Sequence, residues 1–284
     1  MMPSSPSVVP PSPPPPGRAP EVSPLAMPVF RQAGESYLGR HFRAVRLSRA
    51  QRPDLTAARQ RPLAVYLNHS SWWDPLVCLQ LACQLLPERH HFAPLEAAAL
   101  GRHPLFASLG FFAVDLESAR GARRFLDLAT RVLEQADATL WITAGGALAD
   151  PRARPVKPQP GLGHLAARLR RAVMVPLAIE YPFWSGHLPE ALARFGEELP
   201  VEDAGMRARD WSQVLAARLE AAQDALAAEA LARDEPSFEV MLDGGGGRAG
   251  AGGEADSGGA TAWQRLRTWL RGRRRTPAGG LQSL

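Results

Sequence analysis

His69 and Asp74, five residues apart in Asn68-His69-Ser70-Ser71-Trp72-Trp73-Asp74, are the residues whose types and spacing suggest chemistry. A neutral imidazole takes a proton from a hydroxyl, while a carboxylate beside it fixes the tautomer and stabilises the imidazolium that results. The sequence has no Gly-x-Ser-x-Gly nucleophile motif, so the hydroxyl would belong to a substrate. Metal chemistry is poorly supported. His90, His91 and His103 lack the i, i+4 spacing of helical zinc ligands, and Cys78 and Cys83 are the only cysteines. The glycines at 145–146 and 161–163 do not form a phosphate-cradling pattern.

A pair of this kind needs rigid elements on both sides. Leu63 to Leu67 is an aliphatic and β-branched run of strand length, and Leu76, Leu79, Leu81 and Leu85 then recur with helical spacing. The pair therefore sits where a strand end feeds a helix, the usual place for functional groups in α/β folds. The pattern continues along the chain. Val29–Leu38 reads as a helix, with a core-packing face and a basic face suited to a bilayer both open as roles. Phe42–Leu47, His90–Ala93, Gly110–Asp115, Thr139–Ile142 and Val173–Tyr181 read as strands or strand ends. Ala119–Ala136, Gly161–Arg171 and Met206–Ala232 read as helices, and the Pro151–Pro160 segment as irregular. Strands alternating with helices predict an α/β fold: one domain with a largely parallel sheet flanked by helices, between disordered tails.

Composition sets the domain limits. Residues 1–27 are Pro- and Ser-rich and predict a disordered tail. Residues 28–243 hold the periodic segments, 244–260 form a Gly-rich linker, and 261–284 form a basic amphipathic tail with Trp263, Leu266, Trp269 and Leu270 among arginines. The net charge of +5 is unevenly placed. Residues 28–61 carry eight Arg against two acids (+6), and residues 248–284 carry seven Arg against two acids (+5). Residues 62–247 carry 17 basic against 23 acidic residues (−6). Basic ends around an acidic centre fit an anionic membrane surface better than a nucleic-acid groove. No run approaches the roughly 20 apolar residues of a spanning helix, and no signal peptide is recognisable. Two cysteines in an apolar helix, on different faces, read as buried thiols in a reducing compartment. The expectation is a cytoplasmic protein, peripheral on the inner membrane face.

The stretch from Asn68 to Asp74 resembles the N-H-x-x-x-x-D block of the glycerophospholipid acyltransferase family, of the bacterial 1-acylglycerol-3-phosphate acyltransferase type. The likeness runs from about Pro28 to Gly196. Gly110–Asp115 stands where the family has its Gly-to-Asp-Arg block, Trp141–Gly146 where it has Phe-Pro-Glu-Gly, and Val175-Pro176-Leu177-Ala178 resembles its apolar-Pro block. The resemblance implies acyl transfer from acyl-CoA or acyl carrier protein to a hydroxyl of a lysophospholipid, glycerol phosphate or glycolipid. It implies no bound cofactor and no metal. His69 would be the general base and Asp74 its orienting partner. Asn68, Ser70, Gly110, Asp115, Gly145, Gly146, Arg152 and Arg154 would contact substrate.

The departures from the pattern are equally informative. Leu116 replaces an expected Arg, Ala144 a Glu, and Gly146 and Ala147 a Thr-Arg pair. A phosphate-bearing acceptor loses cationic donors this way. Either Arg152 and Arg154 substitute, or the acceptor is not a simple glycerol phosphate; the second is preferred. The alternatives in other classes are a non-catalytic lipid-binding relative and an accessory protein that acts through its basic ends.

Overall fold

Strands covered on both faces need apolar side chains at every position, and Leu63–Leu67 is such a strand, buried throughout. The computed structural model describes residues 22–23, 26–52, 61–102, 104–115, 118–202 and 205–244, all within the unit formed by residues 1–247. The elements run α1 (Ala26–His41), β1 (Ala44–Ser48), β2 (Leu63–Leu67), α2 (Asp74–Leu85), β3 (His90–Glu96), α3 (Ala97–Arg102), β4 (Phe111–Val114), α4 (Ala119–Val132) and β5 (Ala138–Thr143). They continue as α5 (Pro160–Arg168), β6 (Arg171–Glu180), β7 (Glu190–Phe195), β8 (Leu199–Glu202), α6 (Ala208–Ala232) and β9 (Phe238–Asp243).

The strands form one mixed sheet in the order β4-β3-β5-β2-β6-β7-β1-β9, with β8 beside the first half of β6. From β4 to β6 every neighbour is parallel. Helices α1 and α2 pack together on one face, and α4, α5 and α6 pack on the other. One core lies beneath these three helices, where Tyr66, Phe92 and Leu140 of the sheet cluster with Leu165, Leu215 and Leu219. This is the mostly parallel α/β architecture expected from the alternation of patterns.

Three strands escaped the sequence reading. In β7, Glu-Ala-Leu-Ala-Arg-Phe is made largely of good helix formers, and its strand state is imposed by its neighbours. Its two charged residues are buried but paired. Glu190 accepts from Arg46 on β1 at 3.0 Å, and Arg194 donates to Ser48 at 3.0 Å and pairs with Glu229 on α6. The other two, β8 and β9, add antiparallel partners to β6 and β1.

Helix α1 begins at Ala26, and Val22 bridges Leu109 ahead of it. The rest of the Pro-rich segment, the linker beyond Gly244, the basic tail 261–284, His103 and Leu116 lie outside the described residues. Among the described residues, no helix is long and apolar enough to cross a membrane.

Candidate active site

Because β4, β3, β5, β2 and β6 run in one direction, their C-terminal ends share one edge of the sheet. His69 lies two residues beyond β2, and Asp74 opens α2 with Pro75 behind it. Proline suits that first turn, since its missing N–H would have no helical partner there. The His69 Nδ1 and Asp74 Oδ2 atoms are 2.7 Å apart. The same oxygen accepts from the backbone N–H groups of Ser70 and Ser71, at 3.0 and 3.1 Å. Oδ1 accepts from the Tyr181 hydroxyl at 2.7 Å.

Asp74 is only 1% exposed, yet its charge is met by four donors and by the N-terminus of α2. An ionised carboxylate can only accept, so the His69 proton belongs on Nδ1 and the lone pair on Nε2. Nε2 has no hydrogen bond among the described residues, and the side chain keeps 13% of its surface exposed. An imidazole of fixed tautomer is thereby presented at the sheet edge.

Tyr181 carries no recognisable sequence motif. It follows Glu180, the last residue of β6, and burial together with Asp74 pushes its phenol well above the ordinary tyrosine range. It is therefore a neutral donor to Asp74. The one available signal was topological: a tyrosine ending a strand parallel to the Leu63–Leu67 strand must arrive at the same edge. A second unforeseen group is aromatic. Trp72 and Trp73 stack at 3.7 Å between ring centroids, and Trp73 also meets Tyr37 and His41 of α1 and Phe42. Phe42 in turn meets Tyr181 at 5.5 Å. The loop between His69 and Asp74 is thus anchored by ring packing as well as by hydrogen bonds.

Asn68 is committed to the backbone. Its Nδ2 donates to the Ile179 carbonyl at 2.9 Å and its Oδ1 accepts from the Ile179 N–H at 2.8 Å. It continues the β2–β6 ladder one residue past Leu67 and so fixes the point where His69 departs. The Ser70 hydroxyl reaches the same carbonyl at 3.3 Å.

The segment after β5 folds back over β2. Ala144 N–H donates to the Leu67 carbonyl at 2.7 Å, and Ala149 N–H to the His69 carbonyl at 2.8 Å. Between them, Gly145 accepts from the Gln159 side chain at 3.3 Å, and Gly146 turns with φ +67°. Both glycines therefore shape the loop that caps the histidine backbone.

The two arginines of this loop part company. Arg152 lines an open cleft of about 480 Å³ with Ser70, Asp150, Glu180, Tyr181 and Phe183, and pairs with Glu180. Arg154 turns to α6 and pairs with Asp224; it is not among the cleft residues.

Gly110 and Asp115 stand apart from this cluster. Gly110 turns into β4 with φ +89°, and a Cβ there would lie 2.0 Å from the His91 carbonyl oxygen, so only glycine fits. Asp115 follows β4, three strand positions from β2, a lateral distance of roughly 14 Å. It accepts from Ser118 Oγ at 2.6 Å, and Ser118 caps α4 through Gly121 N–H at 3.0 Å. No group of three or more His, Cys, Asp or Glu residues able to hold a metal occurs among the described residues.

Comparison with known proteins agrees with this architecture. Residues 41–180 match the family model described as Acyltransferase, a span that holds β2, α2 and every side chain of the cluster except Tyr181 and the α1 tyrosine. No curated protein matches the sequence. Among solved structures, the chain is similar to the 1-acyl-sn-glycerophosphate acyltransferase PlsC of Thermotoga maritima, with a TM-score of 0.51 and 14% identity. The match covers 71% of this chain and 80% of that one, a likeness of fold.

Proposed function

Taking this chain as the member of the acyltransferase family that residues 41–180 make it, we propose that it moves a fatty acyl group from a thioester to a hydroxyl of a lipid-like acceptor. The donor is acyl-CoA or acyl carrier protein, and no bound cofactor takes part. The observation that carries the reading is the orientation of His69: Nδ1 is held by Asp74 at 2.7 Å, and Nε2 is left to accept a proton.

In the reaction so proposed, the acceptor hydroxyl hydrogen-bonds to Nε2. As its oxygen attacks the thioester carbonyl, its proton passes to the imidazole, and Asp74 stabilises the imidazolium. The tetrahedral intermediate collapses, the C–S bond breaks, and the departing thiolate takes the proton back. His69 ends neutral, and the products are an ester and a thiol. Tyr181 and the Ser70 and Ser71 amides keep the Asp74 carboxylate in place through the cycle. An intact His69–Asp74 pair also speaks against a non-catalytic relative. The basic segment 261–284 is proposed to hold the enzyme on an anionic membrane surface at the cytoplasmic face, with no role for nucleic acid.

The test is transfer from labelled acyl-CoA and acyl carrier protein to a panel of lysolipids, glycerol phosphate and glycolipids. His69→Ala is expected to lower the rate by about 10²–10⁴-fold, the range for losing a general base. Transfer at the wild-type rate in that variant would remove His69 from the mechanism.

A further inference from the structure

The cleft beside the dyad has a charge pattern that selects among acceptors. We infer that the acceptor carries its hydroxyl on an uncharged, hydroxyl-bearing head, of the glycerol or sugar kind, and not on a phosphomonoester. This rests on the acyl-transfer reading above.

The charged side chains lining the cleft are Asp150, Glu180 and Arg152, two carboxylates and one guanidinium. The guanidinium is already engaged by Glu180, whose side chain is 9% exposed. If Arg152 turned to a phosphate, it would leave that nearly buried carboxylate without its counter-charge, the costly way to break an ion pair. A phosphomonoester would also bring close to two negative charges into a lining that already sums to minus one. Arg154 offers no relief, because it is bound to Asp224 on α6.

The hydrogen-bonding inventory points the same way. Glu180 Oε2 and Asp150 Oδ2 have no hydrogen bond among the described residues. Ionised carboxylates only accept, as phosphate oxygens do, so their natural complements are hydroxyl donors. Phe183, 62% exposed, adds an apolar face at the same cleft. A volume of about 480 Å³ suits a small head of this kind.

The experiment compares 1-acylglycerol with 1-acylglycerol 3-phosphate, identical but for the phosphate, in mixed micelles with the full chain. Transfer from labelled acyl thioester gives kcat/KM for each, and quenching of tryptophan fluorescence gives binding of each without turnover. The expected result is a preference for the neutral acceptor of about tenfold or more in both readings. Glu180→Gln, which frees Arg152, and Asp150→Asn, at an exposed position, should each narrow it. A preference for the phosphomonoester that disappears in Arg152→Gln overturns the inference, and so does equal use of the two. Neutral-selective binding with transfer to neither acceptor sinks the acyl-transfer reading, and the acceptor role with it, while the charge selectivity of the cleft stands.

Discussion

Four donors converge on the Asp74 carboxylate, and Tyr181 is the one that can be removed without disturbing the chain turn. Tyr181→Phe keeps the ring among Phe42 and its neighbours but strips one hydrogen bond from Oδ1. A carboxylate with one donor fewer is a stronger base and holds the imidazolium more tightly. The acidic limb of the kcat/KM profile should therefore move to higher pH, with a loss of about tenfold at neutral pH. A pH profile identical to wild type would mean that Tyr181 only packs. The sequence showed His69 and Asp74 because they are neighbours along the chain. It hid Tyr181, 107 residues beyond Asp74, because that contact exists only once β6 lies beside β2.

At the scale of elements, the site depends on the junction between β2 and β6. Asn68 makes the last paired position of that ladder with side-chain atoms, which lets the main chain leave the sheet at His69. Asn68→Ala would strand the Ile179 N–H in a buried setting and leave its C=O only the Ser70 hydroxyl, at a cost of about 2 kcal/mol. Urea unfolding should show a lower midpoint with an unchanged slope; an unchanged midpoint would mean that water replaces the amide. The same junction explains why Asn68 reads as a substrate residue in sequence but functions as a fastening in space. Elements with strong local patterns, such as β2 and α6, were legible. Strand β7 was not, since residues with helical preference are held extended by pairing to β1 and β6.

Across the whole molecule, stability should depend on pH through a histidine outside the site. His91 is buried on β3, accepts from the Trp141 indole at 3.3 Å, and donates to the Leu86 carbonyl at 3.0 Å. Burial chiefly, aided by the Arg89 and His90 charges, lowers its pKa to about 4. In the unfolded chain the group titrates near 6.5, so between these values the unfolded state binds the extra proton. The contribution is complete above about pH 6.5 and is lost as pH falls toward 4, on the order of 3 kcal/mol. Comparing unfolding at pH 7 and pH 5 should show this loss in the wild type and a smaller one in His91→Gln. Equal losses in both would assign the acid sensitivity to other groups.

Legible along the chain were the neighbouring His69 and Asp74, the alternation that builds a largely parallel sheet, and the departures at Ala144, Gly146 and Ala147. These are local properties: side-chain chemistry, spacing within one turn, and periodicity within one element. Contacts between groups far apart along the chain came from the fold. It brought Tyr181 to Asp74 and Arg152 to Glu180, sent Arg154 to α6, and left Asp115 three strands away. Their origin is the sheet order β4-β3-β5-β2-β6, which sets lateral neighbours without regard to separation along the chain.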